Sequence, residues 1–440
     1  MKRLLAFLQR LHSTYWFLPS LMALGAVGLS LLLVSLDQRL ETPARAAAWL
    51  YSGGPEGVRT LLSTVAGSMI TIGGVSFSIT ILALSIASTQ FGARLLDNFL
   101  RDTGTQVVLG TFVSTFIYCL LVLRRVRGPD SGGGVPHLSV AVGIVLAIGS
   151  IGVLIYFIHH VSASIHAEKV VASVAQELDR AIERLLPESR FRGALNTRLR
   201  REEDIPPGFE EELQMVPDPR TGYLQQVDYA ALLALAAEQD RIIRVEYKPG
   251  DFVPPDRGLV AVWPGTALAE KAVEGIGRAF VLGAHPSWSQ DLEYAVNQLV
   301  AVAVRALSPG INDPFLAMSC IDRLGAALIH IAQKSIPSSY RYDAEGSLRL
   351  VIRSFTFEGI LDAAFNQIRQ SAAGNVAVSI RLLETASAVA DFAETPTGRE
   401  AIRRQADMIR SAGDRLVKEE HDREVLRERY EHVVRILEGN

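Results

Sequence analysis

Leu61-Leu-Ser-Thr-Val-Ala-Gly-Ser-Met-Ile-Thr-Ile-Gly-Gly-Val-Ser-Phe-Ser-Ile-Thr-Ile-Leu-Ala-Leu-Ser-Ile-Ala87 carries no charge over its whole length. A bilayer core needs roughly 20 apolar residues as helix. With no water to satisfy backbone N–H and C=O groups there, such a run must be helical. Three further runs qualify: Phe17–Leu36, Val107–Leu123 and Leu138–Ile158. Lys2, Arg3 and Arg10 before the first run and the faint Ala44-Arg45-Ala46 site resemble a signal peptide. Its 20 apolar residues exceed a typical signal core and three more spans follow, so a retained anchor is expected.

Within the 61–87 run and its exit, small or weakly polar residues recur at Thr64, Gly67, Ser68, Thr71, Gly74, Ser78, Ser85, Ser88 and Thr89. Spacings of three, four and seven place most of them on one helical face, while Ile70, Ile72, Phe77, Ile79, Ile81 and Ile86 fall largely elsewhere. Two readings compete. Small residues let helices approach closely in a membrane. Hydroxyls and backbone beside glycine also form a wetted, uncharged pore wall. Thr64, Gly67, Ser68, Thr71, Gly74, Ser78, Ser85 and Thr89 are therefore the pore-lining candidates. No charge lies inside any span, which speaks against a proton-coupled pump and leaves room for a passive conduit.

The link after this span holds Phe91, Leu95, Leu96, Phe99 and Leu100 with Arg94, Asp97, Arg101 and Asp102, a pattern for a short interfacial helix. Those four charged residues are the pore-mouth candidates. His159, His160 and His166 leave the fourth span and are expected to be interfacial or solvated, with a pH sensor as the sharper alternative. An even number of spans puts both termini on one side. Lys2, Arg3 and Arg10 favour the cytoplasm, against Arg39, Arg45, Arg59, Arg124, Arg125 and Arg127 on the other side.

Of the 440 residues 49% are hydrophobic and the mean hydropathy is +0.21, too apolar for an ordinary soluble protein. The net charge of -3 averages two unlike halves. Residues 1–166 hold 11 Lys and Arg against 6 Asp and Glu, and the remainder 33 against 41. Two cysteines, Cys119 and Cys320, supply neither a disulfide framework nor a zinc cluster. No basic patch with interleaved aromatics points to nucleic acid.

The second half divides into a helical extension and linker over 167–220, a small α/β module over 221–285 and a helical domain over 286–440. Pro187 stops the extension, and Pro206, Pro207, Pro217 and Pro219 break the linker. In the module, Tyr223–Val227, Ile242–Tyr247 and Gly258–Val262 read as strands and Tyr229–Glu238 as a helix capped by Asp228. From Trp288 onward the chain reads as helices, over Asp291–Leu307, from Pro314, and around Leu348–Arg369, Val376–Phe392, Arg399–Ser411 and Arg415–Leu437. Ser308-Pro-Gly-Ile-Asn-Asp-Pro reads as a capped helix turn. Asn312 and Asp313 at that helix start are candidates for a polar ligand or ion site, with Asp291 as a third member. There is no Gly-x-Ser-x-Gly elbow, Walker loop or HExxH, so neither catalysis nor a cofactor is expected.

Several stretches resemble one family. Gly67-Ser-Met-Ile-Thr-Ile-Gly-Gly-Val-Ser-Phe-Ser-Ile-Thr, Ser88-Thr-Gln-Phe-Gly-Ala-Arg-Leu-Leu, Leu109-Gly-Thr-Phe, Tyr156-Phe-Ile-His-His and Arg305-Ala-Leu-Ser-Pro-Gly-Ile-Asn-Asp-Pro-Phe are similar to those of the predicted membrane proteins called domain of unknown function 2254. The resemblance covers about residues 10–430. Ala93 stands where Pro is expected and Ser319 where Thr is expected. The resemblance implies a bacterial integral membrane protein and brings no function with it.

The expectation is an α-helical membrane protein with four transmembrane helices and a C-terminal soluble α+β domain that ends in an all-helical region. It sits in the bacterial inner membrane as a homo-oligomer with both termini cytoplasmic. Its expected role is a channel or passive pore, its partners the lipid bilayer, its own copies and ions. The alternative is a membrane-anchored sensor or scaffold whose soluble domain binds a ligand or partner.

Overall fold

The structure is a computed structural model that describes residues 16–39, 54–91, 102–126, 135–164, 167–186, 205–266, 268–287 and 290–439. The chain forms two compact units, Met1–His166 and Ala167–Asn440.

The four apolar runs are the helices of the first unit among the described residues: α1 (Phe17–Arg39), α2 (Pro55–Phe91), α3 (Thr103–Leu123) and α4 (His137–Ser164). Helix α3 is central and packs against the other three. It buries Val108, Phe112, Thr115, Tyr118, Cys119 and Val122. Without hydrophobic drive between helices in lipid, close backbone approach and interhelical hydrogen bonds hold such a bundle. Gly110 supplies the approach, since a Cβ there would overlap Met22 Sδ of α1 and lie 3.3 Å from Pro19 Cα. Between α3 and α4, the buried Thr115 and Ser150 hydroxyls lie 3.2 Å apart and Tyr118 donates to Ser139 O at 2.8 Å.

Side chains also tie the helix ends. Asp37 near the end of α1 accepts from Leu138 N at 3.0 Å, Ser139 N at 2.9 Å and Ser139 Oγ at 2.6 Å. It thereby satisfies donors that the start of α4 leaves unpaired. Arg59 Nη2 donates to Val126 O at 3.0 Å, past the end of α3.

The second unit begins with α5 (Ala167–Leu185), which buries the stripe Val170, Val171, Val174, Leu178 and Ile182. A five-stranded sheet follows the order β1-β5-β3-β8-β7, from β1 (Gln214–Val216), β5 (Val260–Trp263), β3 (Ile242–Val245), β8 (Leu348–Val351) and β7 (Tyr340–Tyr342). Only β3 and β8 run parallel, with Ile243 opposite Leu350. A three-stranded antiparallel sheet sets β2 (Gly222–Val227) between β4 (Phe252–Val253) and β6 (Phe280–Gly283). Helices α6 (Tyr229–Glu238) and α7 (Glu270–Arg278) lie within this part. Leu224, Leu232, Ile243, Leu259, Val260, Ile276, Phe280 and Leu350 share one core.

The remaining helices are α8 (Leu292–Ala306), α9 (Pro314–Ala332), α10 (Phe357–Ser371), α11 (Val376–Ala390), α12 (Pro396–Leu416) and α13 (Glu420–Glu438).

Three expectations are corrected. First, the region after 286 is not all helical, and the module does not close at 285. Residues 340–351 form a hairpin that completes the sheet through β3, because Leu348 and Leu350 alternate as buried strand residues and Gly346, at φ +85°, makes the turn. Second, the linker contributes β1, paired with β5. Third, among the described residues five helices rather than four are long and apolar enough to cross a membrane, the fifth being α9. Helix α9 packs against α5, α8 and α11 of its own unit and buries Ala317, Cys320, Ile321, Leu324, Leu328 and Ile331 there.

Candidate functional site

Helix α2 has two unlike faces. Val58, Leu62, Ala66, Met69, Gly73 and Ser76 turn inward and are buried. Thr64, Gly67, Ser68, Thr71, Gly74, Ser78, Ser85 and Thr89 are all exposed. At 3.6 residues per turn these eight fall within an arc of roughly 120°. A Cβ added to Gly67 or Gly74 meets nothing within 4 Å, whereas one at Gly73 touches Phe112 Cβ at 3.4 Å. The small and polar face is therefore left open by the described residues of the bundle.

The hydroxyls on this face are not idle donors. Thr64 donates to Thr60 O at 2.7 Å, Thr71 to Gly67 O at 2.8 Å, Ser78 to Gly74 O at 3.0 Å and Thr89 to Ile86 O at 2.8 Å. Each proton is held by the helix backbone, which leaves oxygen lone pairs on the outer side. A row of such oxygens can accept from water or face a cation without any net charge. The row is interrupted, however: Val75, 55% exposed, and Leu82, 61% exposed, fall on the same arc. Their positions follow from the same helical periodicity as the small residues.

The stripe is also longer than a bilayer. Thirty-seven residues of helix extend about 55 Å against a hydrocarbon core of about 30 Å. The Trp16 and Phe77 rings, 6.4 Å apart, set the start of α1 beside Phe77. Ser85 and Thr89 thus lie past the start of α1, while Thr64, Gly67, Ser68, Thr71 and Gly74 lie alongside it.

Of the four mouth candidates, Arg94, Asp97 and Arg101 lie outside the described residues, as does most of the interfacial segment. Asp102 is described. It caps α3 by accepting from Gly104 N at 3.2 Å, Thr105 N at 3.1 Å and Thr105 Oγ1 at 2.6 Å. His160 Nε2 lies 2.7 Å from its Oδ2. The Tyr156 ring stacks on His160 at 5.2 Å. His160 is therefore not simply solvated: it closes α4 onto the start of α3. Gly104 makes room for this, since a Cβ there would lie 2.8 Å from His160 Nε2 and 2.9 Å from Tyr156 Oη. His166 lies outside the described residues.

In the second unit, the three polar candidates do not form one site. Asp291 caps the start of α8, accepting from Tyr294 N at 2.9 Å. Asn312 and Asp313 follow its other end, about 22 Å away along a 15-residue helix. Their polar groups serve the turn itself. Asp313 accepts from Leu316 N at 3.0 Å, Asp313 N donates to Ala306 O at 2.8 Å, and Asn312 takes the left-handed conformation at φ +49°. Ile311 and Phe315 beside them are exposed, Phe315 at 79%.

Asp291 has a different setting. It packs against Gly250, where the left-handed φ of +99° leaves no space for a Cβ. Burial pushes its carboxyl up to about 6, with Glu293 and Asp251 adding to the shift and Tyr294 N–H and Lys248 opposing it. A cleft of about 240 Å³ opens beside it, lined in part by Arg341, Arg353, Tyr229 and Phe355. Sequence reasoning missed this cleft because its walls come from six separate stretches.

Comparison with known proteins agrees with the helical membrane architecture. The family described as predicted membrane protein (DUF2254) matches residues 12–388. An uncharacterized protein of Mycobacterium bovis and another of Mycobacterium tuberculosis are each 30% identical over 427 residues, covering 95% of this chain and 80% of the relative. No solved structure matches the chain. The chain is thus a multi-pass membrane protein, and it belongs to the family of predicted membrane proteins called domain of unknown function 2254.

Proposed function

We propose that the protein is a homo-oligomeric channel or passive pore, with the small and polar face of α2 turned to the symmetry axis. One observation carries the proposal. All eight lining candidates are exposed on a face of α2 that the described residues of its own bundle leave bare, and the hydroxyl protons of Thr64, Thr71, Ser78 and Thr89 are held by the helix backbone. A helix facing only lipid gains nothing from glycine, threonine and serine there, whereas a helix facing its symmetry mates gains close approach and a polar lining. Val75 and Leu82 would narrow such a conduit with apolar side chains, the kind of constriction that gates by excluding water.

In this proposal α1 to α4 are the spans, and α9 stays with the second unit because its apolar side chains are buried among α5, α8 and α11. The protein sits in the bacterial inner membrane with both termini cytoplasmic, and the second unit caps or gates the conduit. Its partners are lipid, its own copies and ions, and it performs no catalysis. The rival role, a sensor or scaffold binding a ligand or partner near Asn312 and Asp313, is less supported, since the Asp313 carboxylate is engaged in capping α9.

Cysteine accessibility tests the lining. Cys119 and Cys320 are both buried, and burial pushes the Cys320 thiol up to about 12, so background labelling is low. Thr71→Cys and Ser78→Cys in membranes are expected to react with a charged, membrane-impermeant thiol reagent, and Ile148→Cys on the outer face of α4 is expected to stay unlabelled. Equal protection of all three overturns the lining role.

A further inference from the structure

The pore proposal makes no use of the cleft in the second unit. The cleft lies where the turn after β3, the cap of α8, strand β7 and the loop after β8 meet the end of α5. Two guanidinium groups on its walls have no carboxylate partner among the described residues. Arg341 donates only to the carbonyls of Ser338 and Tyr340. Arg353 donates only to Glu246 O, at 3.3 Å. The arginines in the neighbouring strands differ. Arg244 of β3 holds Glu210 and Glu246, both at 2.6 Å, and Arg349 of β8 holds Asp240 at 2.7 Å and Asp343 at 2.6 Å. Of the three arginines that line the cleft, Arg184 is engaged, and Arg341 and Arg353 are left without a counter-charge among the described residues.

The other charges on the walls are already engaged. Lys248 holds Glu293 at 2.6 Å, and the Asp291 carboxylate is bound to the start of α8. Burial lowers the Arg341 guanidinium from its usual range, as expected for a cation that has lost water and gained only neutral acceptors. A guanidinium fork matches the oxygens of a carboxylate or phosphate, and such charge-assisted pairs are among the stronger hydrogen bonds. Ile352, Phe355 and Leu292 supply apolar wall. Concave sites of this make-up, mostly apolar with a few convergent polar groups, hold small molecules.

We propose that this cleft binds a small organic anion, its carboxylate or phosphate head held by Arg341 and Arg353 and its body against Ile352 and Phe355. Leu185 at the end of α5 is also part of the wall. An occupied cleft therefore fixes the end of the helix that follows the membrane unit in sequence against strand β7. The inference is independent of whether α2 lines a pore.

The test uses the full chain in detergent, with thermal unfolding and calorimetric titration against inorganic phosphate and against succinate, and sodium chloride at matched ionic strength as control. The expected result is a saturable rise in melting temperature with one of the two oxyanions and none with chloride. Which of them acts separates a phosphoryl from a carboxyl ligand. Arg341→Gln is expected to weaken binding about tenfold or more. Arg353→Gln, at an exposed position that leaves the fold intact, is expected to weaken it as well. No stabilisation beyond chloride, or wild-type affinity in Arg353→Gln, overturns the proposal.

Discussion

Two glycines in the first unit make opposite predictions. At Gly110 a leucine has no room. Its Cβ alone would overlap Met22 Sδ and press on Pro19 Cα at 3.3 Å, and that backbone atom cannot rotate away. Overpacking of this kind costs about 1–3 kcal/mol, and a leucine in a helix–helix contact belongs at the upper end. At Gly74 a Cβ meets nothing within 4 Å among the described residues, and a side chain there points away from the bundle. The single copy therefore loses nothing, and helix propensity favours leucine over glycine by up to about 1 kcal/mol. In an oligomer closed around α2 the same leucine holds the helices apart. A loss of about 1.4 kcal/mol per subunit contact weakens association tenfold. The assay is thermal unfolding in detergent for the fold, with mass measurement by light scattering for the assembly. Gly110→Leu is expected to lower the melting temperature. Gly74→Leu is expected to keep it or raise it while shifting the mass toward smaller species. If Gly74→Leu leaves the mass unchanged, the bare face of α2 is not an interface. If Gly110→Leu is neutral, the packing of α1 on α3 is wrong.

Further outcomes follow from side-chain ties and titration. Asp37→Ala removes three acceptor contacts at the start of α4 and is expected to destabilise the bundle by about 1–2 kcal/mol, as loss of a good helix cap does, with Asp37→Asn recovering most of it. The Asp291 carboxyl, raised to about 6 by burial, binds its proton more tightly in the folded chain than in the unfolded one. Its contribution is therefore full below about pH 4 and is lost as pH rises through about 6. Asp291→Asn keeps the cap, so the variant is expected to melt above the wild type at pH 7.5 and level with it near pH 4; parallel curves across that range would refute the assignment. Gly104→Ala is expected to push His160 off Asp102 and lower the melting temperature, as read by thermal unfolding in detergent.

The membrane helices were legible because their signal is local: uncharged apolar runs whose length alone demands a helix. The outward stripe of α2 was legible for the same reason, since one helical period fixes which residues share a face. What the sequence hid is non-local. Strands β7 and β8 are three and four residues long, and their state is set by pairing with β3 about a hundred residues earlier. Leu348 and Leu350 also fit the start of the helical pattern that follows, so the strand was absorbed into α10. The turn residues Asp343 and Gly346 are the local sequence signal of this hairpin, with Asp343 accepting from Ser347 N and Gly346 N donating to Asp343 O. Arg341 and Arg353 gave no signal at all, because what distinguishes them from Arg244 and Arg349 is the lack of a carboxylate neighbour, a property of the folded sheet. Asp291 stands at a helix start in the sequence, but its neighbour in the fold is Gly250 and not Asp313.

The most direct test of the pore proposal is planar-bilayer recording of the purified full-length protein across voltage, pH and membrane tension. The expected result is discrete conductance that falls or vanishes when Ser78 or Thr71 is replaced by Trp, and that Ile148→Trp on the outer face of α4 leaves unchanged. Silent bilayers under all of these conditions, or a conductance indifferent to Ser78→Trp and Thr71→Trp, would contradict it.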